Sequence, residues 1–213
     1  MSLARELRFS DRELRDLAVA WIALGVAFAV FFAGGGRGLL ALLSGGGFTA
    51  AVVVSLLTAG VGFLLHELAH KVVAVRFGQI AEFRADYGML FLAVVSALAG
   101  FIFAAPGAVY HRGVLSDREH GLIALAGPLA NIGLAVLFVP VFAVGVLTGS
   151  EFVGLLGGRG LAINLFLAAF NLIPFGALDG RTVLDWSTPV FVAAFVPSLV
   201  VAVVVVFVFG VGF

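Results

Sequence analysis

Two histidines four residues apart, His66 and His70, with Glu67 beside the first, lie inside a long apolar stretch of the chain. Phe48 to Leu65 carries no charge, and after Lys71 come Val72, Val73, Ala74 and Val75. On a helix this spacing puts both imidazoles on one face, where they can offer two nitrogens to one zinc ion. The glutamate between them then stands where a general base for a metal-bound water belongs. Ionisable groups at membrane depth are costly to bury, so such a cluster marks a functional site. These residues predict a metalloprotease whose zinc, one per chain, lies within the bilayer.

The surrounding composition supports the membrane setting. The 213 residues are 62% hydrophobic and 11% charged, with a mean hydropathy of +1.21, far more apolar than a soluble domain. With no cysteine, thiolate sites are excluded, and His, Asp and Glu are left as ligands. Net charge is zero and there is no basic stripe, so no nucleic-acid partner is expected. The expected partners are the lipid bilayer and membrane-anchored proteins; composition says nothing of oligomeric state. Eight charges in the first sixteen residues argue against a cleavable signal peptide. Residues 1–16 read as a charged amphipathic segment. A short helix from Leu3 to Leu17 is expected, with Ser10 and Glu13 at capping-box spacing. Residues 17–213 read as a single transmembrane metalloprotease domain with its core at 48–180.

An all-α polytopic membrane protein is predicted, with about five to six transmembrane helices. Spans are expected at 17–34, 48–77, 121–148, 159–178 and from Pro189 to Phe213, each near the roughly 20 apolar residues a bilayer requires. Lys71 and Arg76 are expected to snorkel from the second span to an interface. The stretch 89–105 is apolar but short. If it does not cross, and the N-terminus is cytoplasmic, ten Lys or Arg lie inside and two, Arg37 and Arg159, outside. A crossing would change this to eight against four, so the positive-inside bias favours a membrane-embedded hairpin or re-entrant segment around 82–110. The same choice brings Asp179, the best third ligand, to the side of the cytoplasmic half of the second span. Asp179 followed by Gly180 is also a turn signal.

Three motifs then come together: His66-Glu67-x-x-His70, Gly127-Pro128-Leu129-Ala130-Asn131, and Asn171-Leu172-Ile173-Pro174 leading to Leu178-Asp179-Gly180. In order and spacing the chain resembles the site-2 protease family of intramembrane zinc metalloproteases, in a compact archaeal or bacterial form with neither PDZ nor CBS domain. The resemblance implies that His66, His70 and Asp179 bind zinc and that Glu67 is the catalytic base. It implies hydrolysis of peptide bonds within or near transmembrane segments. In the cytoplasmic membrane, water is expected to reach the site from the cytoplasmic side, where the second span ends. Asn131 and Asn171 are candidates for an oxyanion donor or for holding the substrate strand, and the edge of the 82–110 hairpin for pairing with it. Asn131 also fits a helix–helix contact beside the small residues Ala126 and Ala130. Pro174 reads as a helix kink, and His111 and His120 as surface or interface histidines. A metal transporter would place several sites along a path, and a silent scaffold would be expected to lose Glu67 or a ligand; neither pattern is seen.

Overall fold

A computed structural model describes residues 7–212. Along the chain, α1 (Asp11–Phe32) leads through a short α2 (Gly36–Gly45) to α3 (Phe48–Arg76), followed by β1 (Ile80–Ala85), α4 (Tyr87–Leu98) and β2 (Gly107–Arg112). After these come α5 (Asp117–Thr148), α6 (Glu151–Asn171), α7 (Asp179–Trp186) and α8 (Thr188–Val208). Helices α1, α3, α5, α6 and α8 are long and apolar enough to cross a membrane. The protein is therefore an all-α polytopic membrane protein that carries one two-stranded hairpin.

Local chemistry explains where the helices start. Ser10 caps α1 by accepting from the Glu13 amide at 3.1 Å. Ser116 opens α5 with a complete capping box, since the Glu119 carboxylate returns to the Ser116 amide at 2.8 Å. Helix α3 contains a π turn at Leu56–Gly60, and the Leu56 carbonyl there accepts from the Trp21 indole of α1 at 3.0 Å. The adjoining core joins α1, α3, β1 and α4 through Leu17, Leu24, Phe63, Phe83 and Leu90.

The 82–110 region takes the non-crossing form. β1 and β2 pair antiparallel with Ala85 opposite Gly107, so the segment 86–106 leaves and returns at the same point. Its helix α4 has 12 residues, about 18 Å of rise against a hydrocarbon core of about 30 Å. Chain ends tied together by a ladder cannot be delivered to opposite faces, whatever the hydropathy between them.

Several expectations are corrected. No separate amphipathic helix covers Leu3 to Leu17: residues 1–6 lie outside the described residues, 7–10 are not helical, and Asp11–Leu17 is the first part of α1. Ser10 and Glu13 make only half of a capping box, because the Glu13 carboxylate is used elsewhere. Lys71 does not snorkel. Its side chain is 1% exposed and paired at 2.5 Å with Glu13, whose side chain is 0% exposed. A long apolar helix reads from sequence as though its cation must escape to water; here an acidic partner arrives from another helix. Helix α6 ends at Asn171, not at 178. Pro174 therefore sits in the turn before α7 and kinks no helix, and Asp179 opens α7 instead of closing the preceding span.

The chain has no native cysteine, so single cysteines test this topology cleanly. Cysteines placed at Gly78, Val114 and Phe175 should react with an impermeant thiol reagent from one side, and one at Leu147 from the other. Labelling of Gly78 and Val114 from opposite sides would contradict the re-entrant segment.

Candidate metal centre

Helix α3 turns His66 and His70 toward the start of α7, where Asp179 meets both. His66 Nε2 lies 3.2 Å from Asp179 Oδ2, and His70 Nε2 lies 3.4 Å from the same oxygen. All three side chains offer ligand atoms within 4.8 Å of one another. Ligands held at about 2.0–2.1 Å by a tetrahedral ion sit about 3.3 Å apart, which matches both distances.

Hydrogen bonds behind the histidines set their protonation. The Ile123 carbonyl can only accept, so His70 Nδ1, 2.7 Å away, is its donor. Pro128 supplies no backbone N–H to α5, which loses one rung of its ladder at the turn beside this carbonyl. Behind His66 stand two asparagines. Asn164 Nδ2 donates to the Gly160 carbonyl at 2.8 Å, which leaves Asn164 Oδ1 to accept from Asn131 Nδ2 at 2.9 Å. Asn131 Nδ2 also donates to the Gly62 carbonyl at 3.1 Å, so Asn131 Oδ1 is the acceptor 2.6 Å from His66 Nδ1. Both histidines thus carry a proton on Nδ1, and in the neutral form each presents its Nε2 lone pair to Asp179.

That arrangement fits a metal. Two lone pairs and a carboxylate oxygen converge in a buried place, and Asp179 Oδ2 has no hydrogen-bond donor. Like-signed partial charges this close repel unless a cation lies between them. Gly127 adds clearance: a Cβ there would stand 2.6 Å from His66 Nε2 and press on His70 Nε2. Only glycine lets α5 pass this close to the ligand atoms. Gly62 does the same for the relay, because a Cβ there would come within 2.6 Å of Asn164 Oδ1.

Glu67 is buried beside the ligands, and Val109 of β2, with its backbone amide, lines the same cavity. The sheet explains why that amide is available. Phe83 and Ala85 direct their N–H groups away from β2, to Glu13 Oε1 at 2.9 Å and Asp16 Oδ2 at 3.3 Å. Their partners across the ladder, Val109 and Gly107, must then point their own N–H and C=O away from β1. Helix α1 closes the β1 edge with carboxylates, and the β2 edge stays open next to Glu67.

A cavity of about 820 Å³ receives all of these groups. His66, Glu67, His70 and Asp179 share it with β2 and with an apolar wall that includes Phe28 of α1, Phe166 of α6 and Phe207 of α8. His111 and His120 are not merely surface histidines: their rings stand 5.3 Å apart and both line this cavity.

Of the residues expected at the site, the structure brings His66, Glu67, His70 and Asp179 together. It places Asn131 directly behind His66, fully buried, with both amide protons committed. No proton is left for an oxyanion or a substrate strand, so that candidate role is withdrawn. Asn171 lines the cavity and spends one amide proton on the Leu167 carbonyl at 2.9 Å. Asn164 escaped the sequence reading. Its one signal was an amide in the middle of an apolar span, where a polar group needs a partner. Nor does Asp179 cap its own helix: no side-chain capping bond forms at the start of α7.

The chain is 38% identical over 183 residues to "Putative zinc metalloprotease MJ0611" of Methanocaldococcus jannaschii, a match covering 84% of this chain and 87% of that protein. It is 32% identical over 151 residues to "Putative zinc metalloprotease YwhC" of Bacillus subtilis, covering 62% of this chain and 68% of that one. No family model and no solved structure matches it.

The relay behind His66 makes a prediction of its own. Asn131→Leu leaves every ligand in place yet should weaken binding of a divalent metal about 10–100-fold. Equilibrium dialysis against a metal buffer measures this, and wild-type affinity in the variant would dismiss the relay.

Proposed function

The chain belongs to the zinc metalloprotease family of these two relatives, and from that premise we propose that it is an intramembrane zinc endopeptidase resembling the site-2 proteases. Its substrates are membrane-anchored proteins, cut within or near a transmembrane segment. The observation that carries this reading is the pairing of a metal-fitting cluster with an apolar cavity walled by membrane-length helices and bordered by an open strand edge. A soluble substrate would have no use for such walls.

His66, His70 and Asp179 would hold the zinc. When bound, zinc supplies a Lewis acid that acidifies a water and polarises the scissile carbonyl. The residues of the chain do the rest. A transmembrane helix hides its peptide bonds in its own hydrogen bonds, so the cut requires a locally extended stretch. The free edge of β2 offers that stretch the N–H and C=O groups that unwinding deprives it of, by strand addition at Val109 and His111. Strand addition beside Glu67 presents a peptide carbonyl to the ligand cluster. Glu67 takes the proton of the attacking water and returns it to the leaving amine. Asn171, with an amide proton and its carbonyl oxygen uncommitted among the described bonds, is positioned in the cavity wall to hold the substrate chain.

Orientation follows from charge. With 86–106 returning to its starting side, the count of ten Lys or Arg against two favours a cytoplasmic N-terminus and cytoplasmic ends for α3 and β2. Water then reaches the polar end of the cavity from the cytoplasm, in the cell membrane. We infer further that the spans act as one catalytic unit, since its ligands come from α3 and α7 and their supports from α5 and α6.

Purified protein and a Glu67→Gln variant should bind zinc equally, while only the wild type cleaves a reconstituted single-span substrate. The expected loss of rate is at least on the order of 100-fold, the usual scale for removing a general base. Cleavage by the variant at the wild-type rate would refute the role of Glu67. Zinc without cleavage by the wild type across a panel of such substrates would refute the protease reading.

A further inference from the structure

We propose that the buried Glu13–Lys71 pair is a positioning device that sets which peptide bond of the substrate strand meets Glu67. This rests on the strand-addition reading above and adds to it the determinant of register.

The pair belongs to a chain of contacts. Lys71 lies on α3 one turn beyond Glu67, on the same face. Its ammonium contacts Glu13 Oε2 at 2.5 Å and the Arg8 carbonyl at 2.7 Å, and it stands 3.9 Å over the Phe9 ring. The other oxygen of Glu13 accepts the Phe83 N–H at 2.9 Å. Phe83 pairs with Val109, which lines the cavity together with Glu67. The path therefore runs from α3 through α1 and β1 to β2, whose cavity-lining edge faces the same chamber as Glu67, four residues before Lys71 on α3. Asp16 adds a second tie between α1 and the sheet, accepting the Ala85 N–H at 3.3 Å and the Tyr87 hydroxyl at 2.7 Å.

The chemistry of the pair suits position better than stability. A buried ion pair gains little over apolar residues of the same size, because two charges must be stripped of water. What it does supply is a fixed, directional distance. Here the distance fixed is the height of the open β2 edge relative to the general base on α3. A strand advances about 3.3 Å per residue, so a small slide of the hairpin presents a different part of the substrate backbone to Glu67. A misplacement of about 1 Å at reacting atoms costs on the order of 100-fold in rate.

The test uses full-length protein with a single-span membrane substrate and three variants: Lys71→Met, Lys71→Arg and the double variant Glu13→Gln with Lys71→Met. The double variant removes both charges, so the fold survives where a lone buried charge would disrupt it. Bound zinc, thermal midpoint, kcat, KM and the cleaved bond, located by mass spectrometry, are measured together. The double variant should keep its zinc and its midpoint, lose about 100-fold in kcat, and cut at bonds neighbouring the wild-type one. Lys71→Arg, which can still reach the Glu13 carboxylate, should restore the wild-type cut. If the double variant cuts the wild-type bond at the wild-type kcat, the proposal is overturned while the protease reading stands. Loss of zinc together with activity in the double variant also overturns it, by making the pair a fold element. A wild type that cleaves nothing refutes the protease reading itself.

Discussion

Two imidazole nitrogens held 3.2 and 3.4 Å from one carboxylate oxygen in an apolar interior are unstable company. The rest of the site is organised around that repulsion. His70 Nδ1 donates to the Ile123 carbonyl and His66 Nδ1 to Asn131, so each ring in its neutral form turns its Nε2 lone pair toward Asp179. Asn131 cannot rotate, because its amide is committed to the Gly62 carbonyl and to Asn164. Gly127 keeps α5 close while leaving the space between the ligands clear. A cation is what this preorganisation anticipates.

The other constraint is access. Peptide hydrolysis in a bilayer needs water, an extended substrate and a dry wall, which are ordinarily in conflict. The cavity combines them: titratable groups and the phenylalanines of α1, α6 and α8 share one lining. The hairpin is part of that lining. Its inner edge is closed by the carboxylates of Glu13 and Asp16, so that only β2 is left able to accept another strand. An unpaired edge is ordinarily a hazard; on the proposed reading, enclosed in a cavity beside Glu67, it is the surface that takes the substrate strand.

How far the sequence could be read follows from how local each signal was. His66, Glu67 and His70 share one helical face by spacing alone, and no tertiary information is needed to place them together. The return of 86–106 was legible from arginine bookkeeping, a global bias that hydropathy over 89–105 could not resolve. Asp179 was legible as a ligand although the span before it ends at Asn171, because the intervening turn leaves it on the correct side. Other features depended on distant partners. Lys71 reads as a cation seeking an interface until Glu13, 58 residues away, is seen beside it. Asn131 reads as a donor until its amide protons are traced to Gly62 and Asn164, and Asn164 reads as an isolated amide until Asn131 is in view. Buried polar groups in a membrane must be paired, but sequence does not say with whom.

The most direct measurement of this account is zinc K-edge X-ray absorption on the purified protein, beside the His70→Ala variant. The account predicts zinc at one per chain, with two imidazole nitrogens at about 2.0–2.1 Å and carboxylate oxygen in the first shell. One imidazole should vanish from that shell in the variant. A wild type that stays free of zinc after resupply, or whose zinc shell is unchanged by His70→Ala, would contradict it.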